Sequence, residues 1–492
     1  MDGGELDRIE TLKAKGRALL RETALVAGEH VRADDVVEVD DPAEGEILGT
    51  TPKLSAVQVE RAVEAAAGVF GDWARTPAFE RGAILRRWAA LIDEQLDGLA
   101  ALMSLENGKP FSEAQGEVAY ANQFVKWFAG EAERLNGAVI ESWSGQDRIL
   151  AFKEPVGPVA AITPWNFPAA MITRKAAAAF AAGCPVVLKP ASATPFTALA
   201  LAELALEAGV PPAAFSVVTG DAGVVGGVLT ASPLIRKLSF TGSTPVGRKL
   251  AEQCAPTLKR MSMELGGAAP MIVFDDADLE RAIDGAVKGK FRNTGQSCVS
   301  INRFYVARPL LDAFVEGVAE RTRALKVAKP FEPGAAIGPL IDEKGVEKVE
   351  EHVRLQQQSG ARLATGGGRH ALGGRFFEPT VLVGGDDALL RREETFGPVI
   401  AAFGFDREEE ALAKANDSDF GLAAYLYTEG LDRTLRAARA LEAGIVGVNT
   451  GVVSNAANPF GGVKQSGFGR EGSIYGIEEY QQVKAVTLAG GV

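Results

Sequence analysis

Val159-Ala-Ala-Ile-Thr-Pro-Trp-Asn-Phe-Pro168 opens the part of the chain whose rhythm decides the fold. A short apolar run at 159–162 ends in a turn between two prolines, and from there apolar runs alternate with helical patterns. The runs at 186–188, 215–218 and 235–240 read as strands, and 176–182, 198–207, 224–229 and 246–253 read as helices. Strands separated by helices at this spacing run parallel, with helical crossovers, in an open doubly wound α/β sheet.

The same alternation resumes after residue 262. Strands are expected at 271–274, 303–306, 381–383, 399–403, 425–427 and 445–448, with helices at 279–292, 310–325 and 346–358. Upstream, Val59, Ala62, Val63, Ala66 and Phe70 make a helical stripe over 57–73. A second stripe over 80–106 runs through Ile84, Leu85, Trp88, Leu91 and Ile92 and stops at Asn107-Gly108. The first 55 or so residues are polar and turn-rich. The segment 135–148, with Asn136-Gly137 and Ser144-Gly145, reads as a projecting hairpin, and the tail 480–488 is β-like. Two β-prone pieces remote from either sheet can pair with each other or with a neighbouring subunit's edge, which points to an oligomer.

Length and charge bound the function. At about 150 residues per domain, 492 residues make roughly three folding units. The 52 Lys and Arg against 64 Asp and Glu leave a net charge of -12, which repels phosphate backbones and disfavours nucleic-acid wrapping. A local basic pocket for a small anion remains compatible with it. Cys184, Cys254 and Cys298 lie far apart, and His30, His352 and His370 form no cluster, so neither a disulfide framework nor a metal site is expected. The opening MDGGELDRIE resembles neither a signal nor a transit peptide. The longest near-apolar run, 176–188, is broken by Gly183 and Pro185 and is too short to span a bilayer. A soluble, cytoplasmic protein with no nucleic-acid or membrane partner is expected.

Five local patterns can carry chemistry. In Phe291-Arg-Asn-Thr-Gly-Gln-Ser-Cys298 a cysteine follows a helix in a polar turn; it is either an inert buried thiol or a nucleophile favoured by nearby backbone donors. In Met263-Glu-Leu-Gly-Gly267 a carboxylate sits at a strand end, either solvated or desolvated as a base, and the glycine pair lets another group come close. Phe240-Thr-Gly-Ser-Thr-Pro-Val-Gly247 reads as strand, turn and helix, whose first N–H groups can meet a phosphate or serve as an ordinary capped turn. Lys189, in Val187-Leu-Lys-Pro-Ala-Ser192, stands where ligands of open sheets bind, though a solvated lysine would look the same. Asn166, stiffened by Pro164 and Pro168, is a turn residue or an amide donor for an oxyanion. Gly467-Phe-Gly-Arg-Glu-Gly472 has dinucleotide-fingerprint spacing, but it follows no apolar strand and leaves no room for the downstream acid, so it is rejected.

Taken together and in order, Pro164-Trp-Asn-Phe-Pro168, Lys189-Pro-Ala-Ser192, Phe240-Thr-Gly-Ser243, Glu264-Leu-Gly-Gly267, Gly295-Gln-Ser-Cys298, Glu394-Thr-Phe-Gly-Pro398 and Pro459-Phe-Gly-Gly462 resemble the aldehyde dehydrogenase superfamily. The resemblance implies two doubly wound α/β domains plus a small β oligomerisation domain. These are a dinucleotide-binding domain (1–129 and 151–262), a catalytic domain (263–471) and oligomerisation segments (130–150 and 472–492) of a homo-oligomer, dimer or tetramer. It implies Cys298 as nucleophile, Asn166 with the Cys298 N–H as oxyanion donors, and Glu264 as the base that activates water. It places the cofactor on Thr163, Pro164, Trp165, Lys189, Ser192, Gly242, Ser243, Glu264, Leu265, Glu394 and Phe396. Ser192 stands where many NAD-preferring members carry Glu. Its lack of repulsion toward a 2′-phosphate implies NADP, with NAD possible.

Ala169-Ala-Met-Ile-Thr-Arg-Lys175, Phe291-Arg-Asn293 and Arg470-Glu-Gly-Ser-Ile-Tyr-Gly476 look most like succinate-semialdehyde dehydrogenases. That likeness implies Arg174, Arg292 and Ser454 as ligands of the substrate's distal carboxylate, although either arginine could instead face solvent or pair with a structural acid. Ser300 occupies the place of a second cysteine found in some relatives, so no intramolecular disulfide switch is expected. The competing readings are a glutarate-semialdehyde or other aldehyde dehydrogenase, a CoA-acylating enzyme, and a catalytically silent dinucleotide-binding relative.

Overall fold

The computed structural model describes residues 3–490; the last two residues of the expected 472–492 segment lie outside the described residues. Its first sheet runs Glu29–Val31, Ala24–Val26, Phe215–Val217, Val186–Lys189, Val159–Ile162, Lys237–Thr241, Arg260–Glu264, Gly467–Phe468. The five central strands are parallel and take the spatial order third, second, first, fourth, fifth along the chain. This is the doubly wound arrangement. Its switch point lies between Val159–Ile162 and Lys237–Thr241, where helices leave to opposite faces and a crevice opens at the carboxyl ends. The register pairs Ile162 with Lys189 and Phe240, and Thr241 with Glu264, so the turns after all four strands emerge on one edge.

The second sheet runs Arg362–Thr365, Thr380–Val383, Val399–Phe405, Ile301–Ala307, Ala269–Val273, Ala423–Tyr427, Ile445–Val448, parallel except for its first edge strand. The hairpin Ala138–Glu141 and Arg148–Pro155 continues into the tail strand Gln481–Leu488 as a separate antiparallel sheet. The two remote β-prone pieces therefore pair with each other.

Three differences from the sequence reading have physical causes. The stripe over 80–106 is two helices, Ala78–Glu94 and Leu96–Asn107, joined at Gln95, and the second ends on Gly108 in the left-handed conformation (φ 83°). The turn-rich start contains the helix Gly3–Ala18 and short strands. That helix has almost no apolar stripe; it docks through Gly16, where a Cβ would stand 2.7 Å from the Leu102 nitrogen. Ala24–Val26 is three residues long, too short for periodicity to reveal, yet it is buried and joins the first sheet through Leu25 and Val217. Finally, the helix Phe111–Ala132 packs on Ala170–Ala182, every residue of which is buried. Small alanines on all sides of the latter let sheet and helices close in around it.

No helix among the described residues is long and apolar enough to cross a membrane. Among them, no group of three or more His, Cys, Asp or Glu side chains could hold a metal ion.

Candidate active site

The carboxyl-end turns of the first sheet and the Cys298 turn of the second enclose a cavity of about 370 Å³. It brings together Pro164, Trp165, Asn166, Gly242, Ser243, Leu265, Cys298, Glu394 and Phe396, all singled out from the sequence. Thr163, Lys189, Ser192 and Glu264 are not among its lining residues. Arg292 opens instead into a second cavity of about 450 Å³, shared with Phe167 and Asn293. Ser454 is half-buried in the loop after the second sheet's last strand.

The Cys298 turn is held in an unusual backbone shape. Asn293 (φ 51°), Thr294 (φ 57°) and Gly295 (φ 77°) are consecutively left-handed, a strain of about 1–3 kcal/mol for each non-glycine residue that surrounding contacts must offset. Both Glu113 oxygens accept from the Asn293 N–H at 3.1 Å, Asn293 Nδ2 donates to the Asn166 carbonyl at 2.8 Å, and Ile341 N–H donates to Gln296 Oε1 at 2.9 Å. Asn166 Nδ2 in turn donates to the Gln296 carbonyl at 3.2 Å, two residues before the thiol. At Gly267 a Cβ would sit 2.4 Å from the Cys298 carbonyl, so the glycine after Glu264 is what lets the two chain segments touch. Burial, aided by Glu394, pushes the Cys298 thiol up to about 12 against the pull of Arg174, so it is neutral until its surroundings change.

Glu264 is 2 % exposed and neither carboxylate oxygen has a hydrogen-bond partner among the described residues. Burial, then the neighbouring Glu471 charge, holds it well above the usual carboxylate range. Glu471 is also buried, but Lys175 and Arg174 hold it below its ordinary value. The two acids are thus driven apart: Glu264 holds its proton more tightly than an ordinary carboxyl, and Glu471 less tightly. Once ionised, Glu264 is a base that no salt bridge among the described residues commits to a cation.

The residues fit a dinucleotide. Ser243 precedes the helix Thr244–Cys254 without capping it, leaving first-turn N–H groups for a phosphate. Gly242 is packed so tightly that a Cβ would lie 2.5 Å from the Phe240 ring. Thr163 Oγ1, Thr241 Oγ1 and Glu394 Oε1 are buried without hydrogen-bond partners among the described residues. Lys189 is buried, donates to the Pro190 carbonyl at 3.2 Å and feels the Asp221 charge; Ser192 is exposed.

The aldehyde dehydrogenase family model matches residues 30–486. The chain belongs to that family. It is 52% identical over 480 residues to the NADP(+) succinate-semialdehyde dehydrogenase GabD of Escherichia coli (strain K12), covering 97% of this chain and 100% of that protein. It is also 52% identical over 482 residues to the glutarate-semialdehyde dehydrogenase of Pseudomonas aeruginosa, covering 97% and 100%. The crystal structure of succinate-semialdehyde dehydrogenase from Burkholderia pseudomallei superposes with a TM-score of 0.95 at 53% identity, covering 96% of this chain and 98% of that one.

Several residues that shape this aldehyde dehydrogenase's site escape the sequence reading. The helix Phe111–Ala132 turns Glu113, Glu117 and Tyr120 inward at i, i+4, i+7 spacing. Glu117 pairs with Lys109 and accepts from the Ala169 and Ala170 N–H groups at 3.0 and 3.3 Å, and Lys109 donates to the Asn166 carbonyl at 2.9 Å. Lys348 reaches the first cavity from the helix Glu343–Gln358 and, with Lys290, partly offsets the burial that raises Glu394 to about 8. The acidic pair on Phe111–Ala132 breaks its apolar stripe on one side. That break is a signal, but only once the helix itself is recognised.

Proposed function

We propose that this aldehyde dehydrogenase oxidises succinate semialdehyde to succinate with NADP(+), NAD(+) being the lesser cofactor. The observation that carries the reading is Cys298 and Asn166 at one wall of a cavity whose other walls carry Ser243 and Glu394. Cys298 passes its proton to solvent water and its sulfur bonds to the aldehyde carbon, whose oxygen becomes an alkoxide. Asn166 Nδ2 and the Cys298 N–H hold that oxyanion, each donor lowering the barrier by about 3–4 kcal/mol. When bound, the dinucleotide supplies the acceptor for the hydride that leaves the same carbon. Glu264 then takes a proton from water as the water's oxygen attacks the thioester; the carbon–sulfur bond breaks and the acid departs.

Arg174 and Arg292 are the cations for the substrate's distal carboxylate, which the relatives' semialdehyde substrates support. Arg174 does pair with a structural acid, Glu471, at 3.2 Å, whereas Arg292 makes no close ion pair among the described residues and feels Glu113 only through its field. Ser454 stands with them as a neutral donor. Lys189 and Ser192 take the adenosine ribose side, Ser243 the pyrophosphate and Glu394 the nicotinamide ribose. On this reading 1–129 with 151–262 binds the dinucleotide and 263–471 carries catalysis. The arm formed by 130–150 and the tail joins copies into a homo-oligomer. Cys184, Cys254 and Cys298 are all unpaired, which supports a reducing, cytoplasmic setting.

The test is a panel of ω-carboxy aldehydes of increasing length against butanal, each with NADP(+) and NAD(+). Succinate semialdehyde with NADP(+) should give the highest kcat/KM. Equal turnover of butanal would overturn the substrate assignment, and a clear NAD(+) preference would overturn the cofactor assignment. Glutarate semialdehyde, longer by one methylene worth about 1–3 kcal/mol, is the close competitor.

A further inference from the structure

We propose that Tyr120 is a further ligand for the substrate's distal carboxylate, donating its phenolic hydrogen from a position between the two guanidiniums. This rests on the carboxylate-bearing substrate proposed above.

Tyr120 is 9 % exposed on the helix Phe111–Ala132. Arg174 Nη2 donates to its oxygen at 3.2 Å, which occupies a lone pair and leaves the phenolic hydrogen free. No acceptor among the described residues takes that hydrogen. A buried tyrosine ordinarily finds a partner for its hydroxyl, so the unused donor points to a ligand.

The neighbours share the same deficit. Arg174 is clamped between the Phe124 and Phe460 rings, 5.1 and 4.6 Å from their centroids, and its Nε has no partner. Arg292 lies over the Tyr120 and Phe167 rings at 5.5 and 4.8 Å and makes no hydrogen bond or ion pair among the described residues. One phenol thus touches both cations, and each of the three side chains keeps donors that no protein acceptor uses. An anion with several oxygens satisfies them together; an uncharged alkyl tail satisfies none. Arg174 and Tyr120 are buried among these rings, while Arg292 faces the cavity of about 450 Å³, so an anion entering from that side meets all three donors.

The test is Tyr120→Phe, which keeps the ring under Arg292 and its edge contact with Phe124 (centroids 5.1 Å apart) while removing the hydroxyl. For succinate semialdehyde, kcat/KM should fall about tenfold to a hundredfold, the range for a lost hydrogen bond to a charged group, mainly through KM. Butanal, which brings no carboxylate to the phenol, should lose far less than succinate semialdehyde, and an unchanged circular dichroism spectrum and thermal midpoint should show that the variant is folded. Inhibition of butanal oxidation by succinate should weaken by the same factor. A variant that keeps the wild-type ratio between the two aldehydes overturns the proposal. So does one in which both aldehydes suffer equally, since the phenol would then merely support Arg174. A wild-type enzyme that does not prefer the charged aldehyde overturns the parent reading of the substrate, and Tyr120's role with it.

Discussion

Removing the Glu117 carboxylate tests whether the Asn166 loop is held by a buried charge pair. Glu117 and Lys109 are each 1 % exposed at the side chain, and between them they bond Asn166, Ala169 and Ala170. Glu117→Ala leaves a buried ammonium without its anion and two backbone N–H groups without an acceptor. Breaking such a pair from one side costs about 3–5 kcal/mol. At roughly 2–4 °C per kcal/mol for a sizeable domain, the thermal midpoint should fall by about 6–20 °C. Burial already pulls the Lys109 amine down, so in the variant it sheds its proton more readily than in the unfolded chain. The unfolded state then binds more protons, and the stability deficit should shrink as pH rises toward the ordinary lysine range. Because the Asn166 loop loosens, kcat should also fall, by about a hundredfold for a displacement near 1 Å. Differential scanning calorimetry at two pH values, with steady-state kinetics, measures both effects. The double variant Lys109→Met with Glu117→Met removes the stranded charge and should regain more than half of the lost stability, while kcat stays low. A single variant as stable as wild type, or a double variant less stable than the single, would refute the reasoning.

Three further outcomes are expected. Glu264→Gln should still form one equivalent of reduced cofactor rapidly and then turn over about a hundredfold or more slowly; in the wild type, where burial raises Glu264, the deacylation rate should climb with pH as the carboxylate appears, and a flat profile would remove Glu264 as the base. Ser192→Glu should lower kcat/KM with NADP(+) at least about tenfold, as a repulsion of about 1.4 kcal/mol requires, with little change for NAD(+); equal changes for both would show that Ser192 does not face the 2′-phosphate. Trp143, fully exposed on the hairpin beside Val139 at 72%, should be covered by a second copy, so Trp143→Glu should shift sedimentation toward smaller species; a wild-type monomer would contradict the oligomer.

The two α/β series and most of their strands were legible without coordinates; the strand order within each sheet was not. Parallel strands buried on both faces must be short apolar runs, and the residues that interrupt them (Gly242, Gly267, Pro164) announce where the chain turns. Ligands of such sheets gather at those turns, which makes Asn166, Ser243 and Glu264 candidates beside blander alternatives; Cys298 is a candidate from its polar turn after a helix, and the roles of all four come from the family resemblance of the ordered motifs. The helix Phe111–Ala132 was not legible, because its acidic residues face inward and so blur the apolar stripe that marks a helix. Nor was the state of any charge. Glu471 lies nearly three hundred residues from Lys175, and no local pattern says that the two meet, that burial and the Glu471 charge raise Glu264, or that Arg174 is ion-paired to Glu471. Local sequence determined the elements and the turns, through periodicity and backbone sterics. Only the packed tertiary structure decided protonation and pairing, because desolvation and Coulomb energy depend on which distant side chains share a dry space.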